Sequence, residues 1–421
     1  MPATVTTNRA ALVVTRCLRL ASFSERTDGT CRTFLSPPMH DCHREITRWL
    51  EPLGASVRID AAGNLRGVYP GAQPGARRLL IGSHLDTVPN AGAYDGILGV
   101  VLAVALLEEL HGKRFPFAIE LLGFSEEEGV RFGTPFIGSR ALAGKVDEEL
   151  LDARDALGIS VRSAIENFGL NPEELPQAAL GADTLGYLEF HIEQGPVLEE
   201  LKLPLAAVES IAGQSRFEIK FSGRANHAGT TPMHLRRDAI AGAAEWIGTV
   251  ERVAQTTHGL VATVGRVETK PGAANVIAGE ARLTLDIRHS SDEIRSRTAE
   301  DLIRAAQKIA TRRSLSVSNN QLLSQRAVEL DPFLTGEIEK AILKTGCEPH
   351  RMVSGAGHDA MILAKKIPSA MIFLRTPGGI SHDPAESVAV EDVERAIQCG
   401  LHLLDQLAAS SDFYKAPHSK G

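Results

Sequence analysis

The sequence predicts an α/β protein in which one domain is interrupted by a ferredoxin-like α+β insert. Three observations carry this. Apolar runs at 78–81, 117–124 and 185–192 read as buried strands, and each opens into a polar loop carrying His, Asp or Glu. Between 213 and 326 the pattern changes to strand, helix, strand, strand, helix, strand, the split βαββαβ unit. Near Gln325 the chain returns to the first domain and ends in a helix. The boundaries are therefore 1–212 with 327–421, and 213–326.

A chain of 421 residues is long enough for two domains and a large core. A hydrophobic content of 43%, a charged content of 23% and a net charge of −7 fit an ordinary globular protein and argue against nucleic-acid or anionic-membrane partners. Five scattered cysteines (Cys17, Cys31, Cys42, Cys347, Cys399) without a Cys-x-x-Cys pair suggest reduced thiols and a cytoplasmic protein. Arg9, Arg16 and Arg19 break the first twenty residues, so they do not read as a secretory leader. No stretch reaches the roughly 18 apolar residues of a membrane span.

Residues 8–24 and 40–53 have helical spacing, and the second helix stops at Gly54. A hairpin is expected from 55–60 and 65–69 around Ala-Ala-Gly-Asn. The strand Arg78–Ile81 runs into Gly82-Ser-His84-Leu-Asp86, and the loop continues through Asp95 and Gly96 to an apolar helix at 97–110. In open α/β sheets ligands bind in such loops, beyond the carboxyl ends of strands. Imidazole and carboxylate together suit Zn²⁺ or a similar divalent ion. Asp86, two residues past His84, is close enough to bond the second ring nitrogen and fix its tautomer. The next strand ends in Ser125-Glu126-Glu127-Glu128-Gly129, three acids that repel one another unless a cation or proton relieves them. Residues 147–180 read as polar, helical surface insertions. The strand at 185–192 delivers His191, followed by Glu193-Gln194-Gly195. Each feature alone also fits a polar turn; their recurrence at three strand ends gives them weight.

In the insert, strands are expected at 216–221, 260–268, 281–288 and 315–318, with helices at 238–256 and 292–312. The first domain resumes with a helix at 331–345, Ser354-Gly-Ala-Gly-His358-Asp359, a strand at 370–375 and Ser381-His382-Asp-Pro-Ala-Glu386 before the last helix. Gly355-x-Gly357-x-x-Ala360 matches a dinucleotide fingerprint only on paper, because it lies near the C-terminus and not at a first βα turn. No Gly-x-Ser-x-Gly elbow is present, so a serine hydrolase lacks its nucleophile turn. Cys347 has no catalytic context.

With these residues assembled, the chain resembles the M20 metallopeptidase-like amidohydrolases, in particular their hydantoinase/carbamoylase subfamily. The resemblance runs from Gly29-Thr-Cys-Arg32 to the last helix. Its motifs are GSHLDTVPNAGAYDG, EEEGVRF, HIEQGPVLE, NHAGTTPM, GAGHDAM and SHDPAE, in the family's order. It implies a mixed-sheet catalytic domain holding two divalent metal ions per subunit, Zn or Mn, and an inserted lid and dimerisation domain. It further implies His84, Asp95, Glu128, His191 and His382 as ligands, with Asp95 bridging the ions. Glu127 then corresponds to the general base, with Asp86 supporting His84. Three consecutive glutamates leave that register open by one residue, and Gly129 favours Glu127 as base.

By the same resemblance His227 assists the developing oxyanion, while Gln194, Asn275, Arg288 and His358 contact substrate. Asn275 also reads as a turn residue, and Arg288 as the partner of a strand neighbour. His234, Arg236 and Arg237 are expected at the surface. The resemblance implies a homodimer through the insert and a small carboxylate-bearing ureido substrate. The stretches from Phe124 to Phe132 and from Phe136 to Ala141 look most similar to the allantoate branch, which implies hydrolysis of allantoate to ureidoglycine, ammonia and carbon dioxide. N-carbamoyl-L-amino acids, or the substrate of a β-ureidopropionase, are the alternative. A non-catalytic member kept as a binding module would have lost ligands or base, and none of these residues is missing.

Overall fold

The computed structural model describes residues 6–414. Residues 1–5, which belong to the segment read above as no leader, lie outside the described residues. Two compact units are present: one comprises residues up to Glu209 and from Glu329 onward, the other Ser210–Val328.

The first unit is built on a mixed sheet. Its strands are β1 (Ser56–Ile59), β2 (Leu65–Tyr69), β3 (Arg78–His84), β4 (Ala118–Phe124), β5 (Thr184–Ile192) and β6 (Leu205–Ile211). In the second unit follow β7 (Gly213–Ser222), β8 (Asn226–His227), β9 (Val261–Lys270), β10 (Val276–Ile277), β11 (Glu280–His289) and β12 (Ser316–Gln325). The chain closes with β13 (Val328–Glu329), β14 (Arg351–Ser354) and β15 (Ser369–Leu374). The first sheet runs β1-β2-β4-β3-β5-β15-β6-β13, with β14 paired to β6. At its centre β4, β3, β5 and β15 are parallel neighbours.

Every residue of β5 is buried, as expected of a central parallel strand covered on both faces. The helix Ile97–Glu109 is buried from Ile97 through Leu107, so it has no solvent face and forms the middle of the core with helices 6–21 and 390–409. Truncating one of its leucines, such as Leu102→Ala, is expected to cost about 2–5 kcal/mol. No helix among the described residues is long and apolar enough to cross a membrane.

The second unit carries an antiparallel sheet of order β12-β7-β11-β9, with helices Ala239–Thr256 and Asp292–Arg312 packed on it. Burial alternates strictly along β11: Ala281, Leu283, Leu285 and Ile287 point into the core. Thr284, Asp286 and Arg288 therefore share the open face. Asp238 caps the first helix, accepting the N–H groups of Ile240 and Ala241. Trp246 ties the helices together, its Nε1 donating to Leu302 O at 2.8 Å.

Two expectations need correction. Residues 147–180 form only short helical pieces (Glu148–Asp152, Val161–Asn167, Pro172–Ala178), and they are not merely surface insertions. Leu150, Val161, Ile165 and Leu175 pack with Phe34 and Ile137 into a second core, because their apolar side chains face one way off each short turn. The last strand of the second unit extends to Gln325, well past Ser318, since its polar residues pair with β7 at the sheet edge without needing an apolar pattern.

Candidate metal centre

Parallel register sets the carboxyl ends of four strands side by side. His84 ends β3 opposite Phe124 of β4, and His191 of β5 lies opposite Phe373 of β15. The loops that follow carry Asp86 and Asp95, the three glutamates, Gln194, and Ser381 through Glu386.

Asp95 is the meeting point. Its Oδ1 lies 3.2 Å from His191 Nε2 and 3.4 Å from His84 Nε2, and the two nitrogens are 3.4 Å apart. On its other side, Oδ2 lies 3.4 Å from His382 Nε2, which is 3.5 Å from Glu128 Oε1. The second ring nitrogens of the two buried histidines are committed: His84 Nδ1 is 3.0 Å from Asp86 O, and His191 Nδ1 is 2.9 Å from Ile192 O. A proton on each Nδ1, donated to its carbonyl, leaves both Nε2 lone pairs aimed at Asp95. Three acceptor atoms facing one point repel unless a proton or a cation sits among them. Asp95 Oδ1 is buried and has no hydrogen-bond partner among the described residues.

The spacing suits a metal. Tetrahedral Zn²⁺ with nitrogen ligands at roughly 2.0–2.1 Å has ligand–ligand edges of about 3.3 Å, which is the separation found around Asp95. Two groups, His84–Asp95–His191 and Asp95–Glu128–His382, can each hold an ion and share Asp95. His84, Glu127 and Glu128 are also close together, as are Glu189, His191 and His358.

Electrostatics follow from burial and this crowding. Burial alone would raise the Asp95 pKa, but when a proton rather than a cation fills this gap, His191, His382 and His84 donate to the carboxyl, overcome burial and hold it well below its usual range. Burial pushes Glu127 up; His84 partly opposes this, and Glu128 adds to it. Burial, followed by Asp95, lifts Glu128 to about 7.

The three glutamates divide their work geometrically. Glu126 turns back to accept Gly129 N at 2.5 Å. Glu128 reaches His382, while Glu127 stands beside His84. Asp86 sets this arrangement, its Oδ1 accepting Glu127 N at 2.9 Å and its Oδ2 accepting Glu128 N at 3.1 Å. The same carboxylate lies 3.4 Å from His84 Nδ1, farther than the backbone oxygen. Gly96 has φ +67°, and a Cβ there would lie 2.4 Å from the His84 ring, so only glycine lets the chain pass over this imidazole.

The remaining sequence-selected residues fall into two groups. In the first unit Gln194 donates Nε2–H to Asp95 Oδ2 at 2.7 Å, beside Ser381 Oγ at 2.8 Å. His358 is buried against His191 and Phe373, with Nε2 2.8 Å from Ser354 Oγ. Burial, then His191, lowers its pKa well below the usual value.

In the second unit, His227 and Asn275 are exposed neighbours, linked by Ala228 N donating to Asn275 O at 3.0 Å. The Arg288 guanidinium is aligned by Asp286, with Nε 2.9 Å from Oδ1. Arg236, expected at the surface, is partly buried and clasps the His227 loop, donating to Ala228 O at 2.6 Å and Thr231 O at 3.1 Å. Two residues of the centre escaped sequence reasoning, Ser381 and Glu386. Both stand in SHDPAE, but nothing in its spacing separates them from turn residues.

Against known proteins, residues 80–406 match the family described as Peptidase family M20/M25/M40. The N-carbamoyl-L-amino acid amidohydrolase of Geobacillus stearothermophilus is 41% identical over 371 residues, spanning 86% of this chain and 90% of that protein. The allantoate deiminase of Arabidopsis thaliana is 38% identical over 428 residues, 94% of this chain and 81% of that one. Among solved structures, an amidase of the hydantoinase/carbamoylase family from Burkholderia multivorans superposes with a TM-score of 0.90 at 30% identity, covering 95% of this chain and 98% of that chain.

Proposed function

The chain belongs to Peptidase family M20/M25/M40, and on that premise we propose that it is a two-metal amidohydrolase cleaving the ureido C–N bond of allantoate. The observation that carries the reading is Asp95, one oxygen facing His84 and His191 and the other facing His382. Divalent ions bound there would polarise the scissile carbonyl and acidify the attacking water. Glu127 takes the water's proton and delivers it to the leaving nitrogen. Water's oxygen bonds to the ureido carbon, the C–N bond breaks and ammonia leaves; loss of carbon dioxide from the remaining carbamate gives ureidoglycine.

His227 offers Nε2–H to the carbonyl oxygen as that oxygen gains charge. Arg288, held in plane by Asp286, receives the substrate carboxylate. Gln194, Asn275 and His358 complete the proposed substrate contacts. His227 and Asn275 are proposed to act from the partner subunit of a homodimer formed through residues 213–326.

A second reading, an N-carbamoyl-L-amino-acid hydrolase, is favoured by the 41% identity to the Geobacillus stearothermophilus enzyme. Chelated protein re-supplied with Zn²⁺ or Mn²⁺ and assayed for ammonia release decides between them. Faster turnover of allantoate than of N-carbamoyl amino acids is expected. The reverse order supports the second reading, and full turnover after metal removal defeats both.

A further inference from the structure

We propose that Glu386 is a positioning residue of the metal centre, holding the backbone at Asp95 so that its two carboxylate oxygens face their separate histidines. The proposal rests on the reading of Asp95 as a bridging ligand. Glu386 Oε1 accepts Tyr94 N at 2.7 Å and Asp95 N at 3.0 Å. Two successive N–H groups held on one oxygen fix the peptide planes from which the Asp95 side chain departs. Its remaining freedom is taken up on Oδ2 by Gln194 and Ser381.

Glu386 is 5% exposed, and the fold is shaped around it: a Cβ on Gly92 would stand 2.4 Å from Glu386 Cβ. Among the described residues it joins no group close enough to share an ion. Its contact with the centre is therefore through the Asp95 backbone. Keeping a carboxylate in such a place is costly, since an apolar side chain of similar volume would pack there more cheaply. What an apolar group lacks is the acceptor for the two amides.

The test is calorimetric titration of metal-free protein with Zn²⁺, alongside the melting temperature of the same metal-free samples. Glu386→Gln keeps an oxygen in place for both amides and is expected to bind Zn²⁺ nearly as wild type does. Glu386→Ala is expected to lose about 10–100-fold in affinity, the usual effect of removing a group that orients a ligand. Glu386→Asp withdraws the oxygen by one methylene and should behave like Glu386→Ala, so it carries the comparison if the alanine variant does not fold. If these variants melt lower yet bind Zn²⁺ as tightly as wild type, the role is structural only and the proposal falls, while the metal-centre reading stands. Equal weakening in Glu386→Gln also overturns it, because charge and not the acceptor would then matter. Failure of the wild-type chain to bind Zn²⁺ would instead remove the reading beneath it.

Discussion

Asp86 accepts the backbone N–H of Glu127 at 2.9 Å, so the residue proposed as base is held by the loop that follows His84. The neighbouring Glu128 N–H rests on the other oxygen of the same carboxylate. One side chain thus couples the end of β3 to the end of β4. Asp86→Ala is expected to lower kcat about 10–100-fold and to reduce metal occupancy, whereas Asp86→Asn, which keeps one acceptor, should fall between. Wild-type kcat with full metal content in Asp86→Ala would remove this account.

The division among the three glutamates makes a sharper demand. Glu127→Gln should retain its metals and lower kcat by at least about 10²-fold, the usual size of a lost general base. Glu128→Gln should shed metal from the Asp95–His382 side. Metal analysis and kcat measured on both variants check the assignment. Metal loss in Glu127→Gln alone would shift the register by one.

What the chain discloses before folding differs between strands and contacts. The runs 78–81, 117–124 and 185–192 announce β3, β4 and β5 because central strands buried on both faces are nearly all apolar. β6 and β14 escape such reading. Leu205–Ile211 has two alanines and a glutamate, and Arg351–Ser354 is a four-residue strand at the sheet margin. At the centre, residue types were legible but pairings were not. Gln194 read as a substrate contact, and the hydrogen bond from its amide to Asp95 was not foreseen. Glu386 stands 291 positions from the amide it holds, and no local pattern encodes such a contact.

His43 provides a pH prediction remote from the metal centre. It is 5% exposed, its Nε2 has no partner among the described residues, and Phe168 packs edge-on at 5.9 Å. Burial, then the nearby His40 and Arg32, lowers its pKa from 6.5 to about 3. The folded state therefore stays unprotonated where the unfolded chain takes up a proton. Its stability is undiminished above about pH 6.5 and is lost as pH falls from there toward about 3. By pH 5 the loss is roughly 2 kcal/mol. His43→Leu should remove this slope, so urea unfolding at pH 7.5 and 5 should show the wild type losing more than the variant. An equal loss in both would show that His43 does not titrate as argued.

The last prediction concerns His227. Its Nδ1 accepts Gly229 N at 3.1 Å and Thr230 N at 3.2 Å. An imidazole nitrogen that accepts two N–H groups carries no proton, so the proton sits on Nε2 and this exposed side chain presents a fixed donor. Arg236, clasping Ala228 O and Thr231 O, keeps the turn closed behind it. A donor that strengthens its bond as an oxyanion forms acts on kcat more than on KM, so His227→Ala should lower kcat about 10²–10³-fold. If the donor comes from the partner subunit, two inactive proteins can repair one another. In a hybrid of Glu127→Gln with His227→Ala, one site has both defects and the other has neither. Equal mixing with free exchange makes half the dimers hybrid, so about a quarter of wild-type activity should return, as two-fold symmetry requires. Should confirmed hybrids show no activity above either parent, His227 does not serve the partner's site.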